Sequence, residues 1–148
     1  VLGKGFFWEE LEIGTKWSTL GRTIAEPDLS NFVNLAWFIE ELFTNQHDRE
    51  HVVLPGRSVP GALVYCFAEG LLMPSIQGMG MAFLNMQLDV KGPSQVGDTI
   101  YVHCEVIESR PTSKPDRGLL RTMNRIVNQR GETVITYNPL RMLRRRPA

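Results

Sequence analysis

The groups able to do chemistry are few and scattered. Three histidines, His47, His51 and His103, do not form a known metal-binding set. Two cysteines, Cys66 and Cys104, lie in strongly apolar segments without motif spacing. They predict neither a disulfide framework nor a zinc site, but small core thiols in a reduced, cytoplasmic protein. Asp98 precedes His103 by five residues. A carboxylate and an imidazole could share one water in proton transfer, yet this aspartate sits at a turn leading into a strand and is discounted. Glu69 stands alone in an apolar run, and a buried carboxylate must be paired, so a local polar network is expected around it. Arg110, Lys114 and Arg117 share a polar stretch suited to phosphates; the plainer account is a solvated loop. The tail carries Arg141 and Arg144 to Arg146, a solvated terminus or a partial phosphate contact.

These groups need a scaffold, and one stretch organises it. Ser58 to Pro74 reads Ser-Val-Pro-Gly-Ala-Leu-Val-Tyr-Cys-Phe-Ala-Glu-Gly-Leu-Leu-Met-Pro. Pro60 suits a first helical position, and Pro74 predicts the stop. The residues between leave no polar face, so the spacing predicts a helix over 60–73 buried all round. It is too short to span a bilayer, which needs about 20 apolar residues, and Glu69 interrupts it. About nine large apolar side chains, at roughly 1.5–3 kcal/mol each when fully buried, would dominate a core.

Lys16 to Ala25 predicts a strand. Leu29, Phe32, Val33 and Ala36 follow the period of an amphipathic helix, with Pro27 and Asp28 in its first turn. That helix either runs through Leu42 and Phe43 or breaks and restarts there. Asn45 to Glu50 is a polar loop, and Pro55-Gly56 signals a turn. Alternation from Ala82 to Val90 predicts one half-buried antiparallel strand. Thr99–Ser109, Leu119–Val127 and Thr133 to about Met142 predict three more. They are joined by a long polar loop at Arg110–Gly118 and a tight turn at Asn128–Gly131.

The chain has 148 residues, 43% hydrophobic and 22% charged, which suits one α+β domain spanning 1–148. Sixteen basic residues balance sixteen acidic ones. No global field therefore steers nucleic acid or an anionic membrane, and neither is an expected partner. Val1 to Trp8 lacks the apolar run and cleavage site of a signal peptide. An antiparallel sheet curved around a buried helix satisfies both patterns. A bare sheet edge is a liability, which favours edge pairing in a dimer.

Five stretches in order carry a resemblance. They are Gly21-Arg-Thr-Ile with Asp28 and Asn31-Phe32, Pro60-Gly-Ala-Leu63, Val96-Gly-Asp-Thr99, Arg110 to Gly118, and Asn128-Gln-Arg-Gly-Glu132. Together they resemble the MaoC-like dehydratases, the hot-dog family that includes the (R)-specific enoyl-CoA hydratases. The resemblance implies acyl-coenzyme A thioesters held at a dimer interface, with water added to or removed from a conjugated double bond. It implies no cofactor beyond the coenzyme A of the substrate. It gives the Gly61 backbone N–H, set up by Pro60, the thioester oxygen, where enolate charge forms. It also implies an aspartate and a histidine five residues apart acting on one water. Those positions fall on Phe38 and Phe43, and neither can transfer a proton. The histidine often found before the helix glycine is replaced by Pro60.

Three readings follow. In the first, the chain is a hydratase or dehydratase with a displaced acid and base, for which Glu40, Glu41, His47 and Asp48 are the candidates. Each is otherwise a solvated loop charge. In the second, it binds acyl-CoA without hydrating it, as a module or as one half of a heteromer with a catalytic paralogue. In the third, it is a hot-dog thioesterase using Glu69. In all three, Trp37, Phe38 and Phe43 line an apolar tunnel for the acyl chain or fill core around the helix. Arg110, Lys114 and Arg117 face the nucleotide or remain solvated. A homodimer or higher homo-oligomer is expected.

Overall fold

The computed structural model describes residues 1–54 and 56–148. After a 3₁₀ turn at Trp8–Glu10 come β1 (Lys16–Ser18), β2 (Arg22–Thr23), α1 (Glu26–Ala36), α2 (Glu41–Thr44) and α3 (Gly61–Ile76). Six strands follow: β3 (Gly80–Asn85), β4 (Leu88–Val90), β5 (Thr99–Pro111), β6 (Arg117–Val127), β7 (Thr133–Tyr137) and β8 (Leu140–Arg144). Every pairing is antiparallel. β1 and β2 lie on β5, β5 on β6, and β6 on both β7 and β8; β4 then pairs β7, and β3 pairs β8.

The sheet wraps α3, as its apolar composition demands. Leu63, Val64, Ala68 and Leu72 are buried in one cluster with Ile100, Val102, Cys104, Ile126, Val134, Ile135 and Tyr137 from the strands. Burial is not all round, however. Ala62, Cys66, Gly70 and Met73 are exposed. They recur every three or four residues, so they form one open stripe. The sheet curls over the remaining sides and leaves this one.

Pro60 caps the helix from outside, with φ −60° and ψ 140°. Pro74 does not end it, and the helix runs on to Ile76. A proline in the last turn removes only one backbone bond, and the Ser75 hydroxyl supplies another by donating to the Leu72 carbonyl at 2.6 Å.

Long strands expected from the periodicity are broken. The 82–90 run splits into β3 and β4, and 133–142 splits into β7 and β8. The two breaks face each other. The Gln87 N–H donates to Asn138 Oδ1 at 2.6 Å, and the Asn138 N–H donates to the Gln87 carbonyl at 3.2 Å. Pro139 follows and cannot donate to a ladder. All six residues of β3 are exposed, so the half-buried strand expected there is unburied in the chain. The 16–25 run likewise splits, at residues 19–21.

The polar loop expected over 110–118 is short. β5 reaches Pro111, β6 begins at Arg117, and Pro111 pairs with Gly118. A side chain at Gly118 would collide with the Trp8 indole, whose Nε1–H donates to the Leu119 carbonyl at 3.0 Å. Of the Pro55-Gly56 turn, Pro55 lies outside the described residues, and Gly56 takes φ 64°. No helix is long and apolar enough to cross a membrane among the described residues.

Candidate functional site

The start of α3 opens onto a cavity of about 400 Å³. Ser58 bridges to Gln95, and the Val59 N–H donates to the Ser94 carbonyl at 3.0 Å. This anchors the segment before the helix to the β4–β5 connection. The Pro60 carbonyl accepts from the Leu63 and Val64 N–H groups, closing the first turn. Among the described residues no acceptor takes the Gly61 N–H. Gly61 lines the cavity with Leu42, Phe43, Leu54, Val90, Lys91, Ser94 and Ile135 among its neighbours. An unpartnered amide at a helix N-terminus favours an oxygen carrying negative charge.

Aromatic rings close one side. Phe32 and Phe38 pack edge to face at 5.4 Å, and Phe38 stands 6.2 Å from Phe43. The chain turns there because Trp37 adopts a left-handed conformation, φ 58°, at the end of α1. Arg57 then ties α2 to α1. It donates to the Phe43 carbonyl at 2.6 Å and grips the Glu26 carboxylate. Of the three expected tunnel residues, Phe43 lines the cavity and Phe38 backs it. Trp37 is 80% exposed and does not line it.

The candidate acids and bases lie elsewhere. Glu40 caps α2, accepting from the Leu42 N–H at 3.2 Å. Glu41 is exposed. Asn45 Oδ1 accepts from the His47 and Asp48 N–H groups, which fixes their loop. The side chains of His47 and Asp48 are 94% and 63% exposed, with 4.0 Å between them. None of the four lines the Gly61 cavity. Asp98 is buried as a turn brace, accepting from the Gln95 N–H and from Gln129 Nε2, both at 3.0 Å. His103 instead contacts the Ser18 hydroxyl at 2.6 Å.

Glu69 sits in the expected network. Arg141 Nη2 donates to both of its oxygens at 2.6 Å, and the Tyr65 and Tyr137 hydroxyls donate at 3.2 Å. Burial first, and then the Glu69 charge, pushes the Tyr65 phenol up to about 12 and raises that of Tyr137 as well. With both oxygens occupied, Glu69 is not free to attack a thioester.

Comparison with known proteins bears on this geometry. No family model matches the chain. An (R)-specific enoyl-CoA hydratase from Rhodospirillum rubrum is 26% identical over 108 residues, 73% of this chain and 74% of the relative. A MaoC-like dehydratase structure from the same organism matches with a TM-score of 0.85 at 21% identity, over 97% of this chain and all of that one. The X-ray structure of an Archaeoglobus monoamine oxidase regulatory protein matches with a TM-score of 0.87 at 26% identity, over 97% of each chain. The chain has the hot-dog fold and is similar to MaoC-like dehydratases and an (R)-specific enoyl-CoA hydratase.

In this hot-dog domain the basic groups expected at the nucleotide end are misplaced for Gly61 of the same chain. β5 has 13 residues, roughly 40 Å at about 3.3 Å per residue. Arg110 and Arg117 sit at its hairpin end, while Ser94 and Gly61 lie beyond its start. Both arginines already have partners. Arg110 donates to Glu108 at 2.8 Å, and Arg117 to Asp116 at 2.8 Å. Arg121 first, then Arg110, holds the Glu108 carboxyl below its usual range. Lys114 lies in the same turn. The basic tail is also engaged: Arg145 pairs with Glu9, Arg146 with Glu10, and Arg144 donates to the Gly78 carbonyl. The sequence reasoning missed Lys91 and Ser94, which do line the cavity. Their only sequence signal is a lysine and a serine flanking Gly92-Pro93, where a strand ends.

Proposed function

We propose that this MaoC-like domain binds an acyl-coenzyme A thioester with its carbonyl oxygen on the Gly61 N–H, and that its own chain supplies no hydration chemistry. The observation that carries this is the Gly61 cavity. It offers a free helix-terminal amide, while Phe43 lines it and no carboxylate or imidazole is among its described lining residues. The amide would stabilise the polarised thioester oxygen. Without a proton donor and acceptor within reach, water cannot be added to a double bond. An enoyl-CoA or a 3-hydroxyacyl-CoA is the ligand suggested by the (R)-specific hydratase relative.

The test is to titrate the protein with crotonyl-CoA and longer enoyl-CoAs and to follow the conjugated absorbance. Saturable binding without loss of absorbance is expected. Turnover that vanishes in Glu40→Gln, Glu41→Gln or His47→Ala would restore the displaced-site hydratase, and release of free thiol would establish a thioesterase.

A second reading keeps the hydratase reaction but assigns it to an assembly. The β3 edge is open and presents Met81, Phe83 and Leu84, so a second hot-dog chain can pair along it. A HadBC dehydratase complex from Mycobacterium tuberculosis shares the fold, with a TM-score of 0.74 at 14% identity. A homodimer or a heteromer with a catalytic paralogue would both cover this edge. Turnover that appears only on adding such a paralogue would support this reading.

A further inference from the structure

The Gly61 cavity has a second polar side, built by the β4–β5 connection Val90-Lys91-Gly92-Pro93-Ser94. This connection is held at both ends. The Lys91 and Gly92 N–H groups donate to the Val134 carbonyl at 2.8 and 3.3 Å, and the Ser94 carbonyl accepts from Val59. Ser94 is 8% exposed, and among the described residues its hydroxyl makes no hydrogen bond. Lys91 has no carboxylate within 4.0 Å among the described residues. The remaining lining residues are apolar, with Leu42, Phe43, Val90 and Ile135 prominent. The cavity therefore presents an amide, a hydroxyl and an ammonium, and no side chain that bears negative charge. A hydroxyl and an ammonium on the wall of one cavity can both donate to an anionic oxygen.

Resting on the acyl-thioester reading, we propose that Lys91 and Ser94 bind an anionic oxygen group of the same ligand. Such a group is either a carboxylate on the acyl part or a phosphate of the carrier. At about 400 Å³ the cavity matches the small end of ligand sites, so it holds a short acyl group rather than a long chain. The apolar wall takes the carbon skeleton, Gly61 takes the thioester oxygen, and Lys91 with Ser94 takes the charge through charge-assisted bonds.

The test uses three thioesters on the full chain by titration calorimetry. Crotonyl-pantetheine carries neither phosphate nor carboxylate, fumaryl-pantetheine adds a carboxylate, and crotonyl-CoA adds phosphates. At least one anionic ligand should bind the wild type tenfold or more tightly than crotonyl-pantetheine. Lys91→Gln should erase that advantage, Lys91→Arg should keep most of it, and Ser94→Ala should weaken it severalfold. Crotonyl-pantetheine binding should stay within twofold in all three variants. A loss confined to fumaryl-pantetheine identifies an acyl carboxylate, and one confined to crotonyl-CoA identifies a carrier phosphate. If the variants weaken all three ligands equally, or none, the anion site is overturned while the Gly61 reading stands. If the wild type binds no thioester, both fall.

Discussion

Glu69 and Arg141 show how one ion pair can settle a functional question. The pair is mostly buried, with side-chain exposures of 15% and 13%, and two tyrosines complete its hydrogen bonding. Removing one partner leaves the other charge without compensation, which costs roughly 3–5 kcal/mol. Glu69→Leu is expected to lower unfolding free energy by about that amount in urea titrations. The Glu69→Leu/Arg141→Leu double variant should lose less than the sum of the singles, because the two side chains are coupled. Tyr65 gives a pH dependence. Its folded pKa is raised from 10.0 to about 12, so its contribution is fully present below pH 10 and is lost as pH rises toward 12. The urea midpoint should fall over that interval, and Tyr65→Phe should flatten the fall. Burial also pushes the Cys104 thiol up to about 12. At pH 8 it therefore holds almost no thiolate. Iodoacetamide followed by mass spectrometry should leave Cys104 unmodified until the protein is unfolded.

Among the elements, α3 carries the core and the site together. Leu63, two residues after Gly61, is fully buried. Leu63→Ala is expected to cost about 2–5 kcal/mol through lost burial and the cavity left behind; denaturant titration measures it. The β4–β5 connection is the other positioning element, since it holds the segment before α3 at Val59 and carries Lys91 and Ser94. The α1–α2 turn completes the site. Its left-handed Trp37 and the Arg57 clamp bring Phe38 and Phe43 to the cavity side. Phe38 and Phe43 are thus held by the scaffold and are not incidental loop residues.

For the whole molecule, two apolar features are uncovered in one chain: the edge strand β3 and the stripe Ala62, Cys66, Gly70 and Met73 on α3. An exposed strand edge invites pairing with another chain. Sedimentation velocity should show a dimer or larger species, and Leu84→Lys should shift it toward monomer, because a charge on that edge opposes pairing.

Much of the fold was legible in the sequence, because the patterns that encode it are local. The all-apolar run after Pro60 specified a core helix, alternation specified strands, and Asn128 to Gly131 specified the turn between β6 and β7. The resemblance singled out Gly61 and Phe43, and both line the cavity at the start of α3. Tertiary structure alone decided which faces met. A hydrophobic period defines a face but not its neighbour, so the open stripe on α3 and the bare β3 edge are invisible in it. Proline excludes one backbone bond, and whether Pro74 stops a helix depends on what the last turn packs against. Glu69 finds Arg141 across 72 residues, and Lys91 and Ser94 share a cavity with Gly61 although about thirty residues separate them. Such meetings depend on how the chain returns through space, which no short stretch of residues encodes.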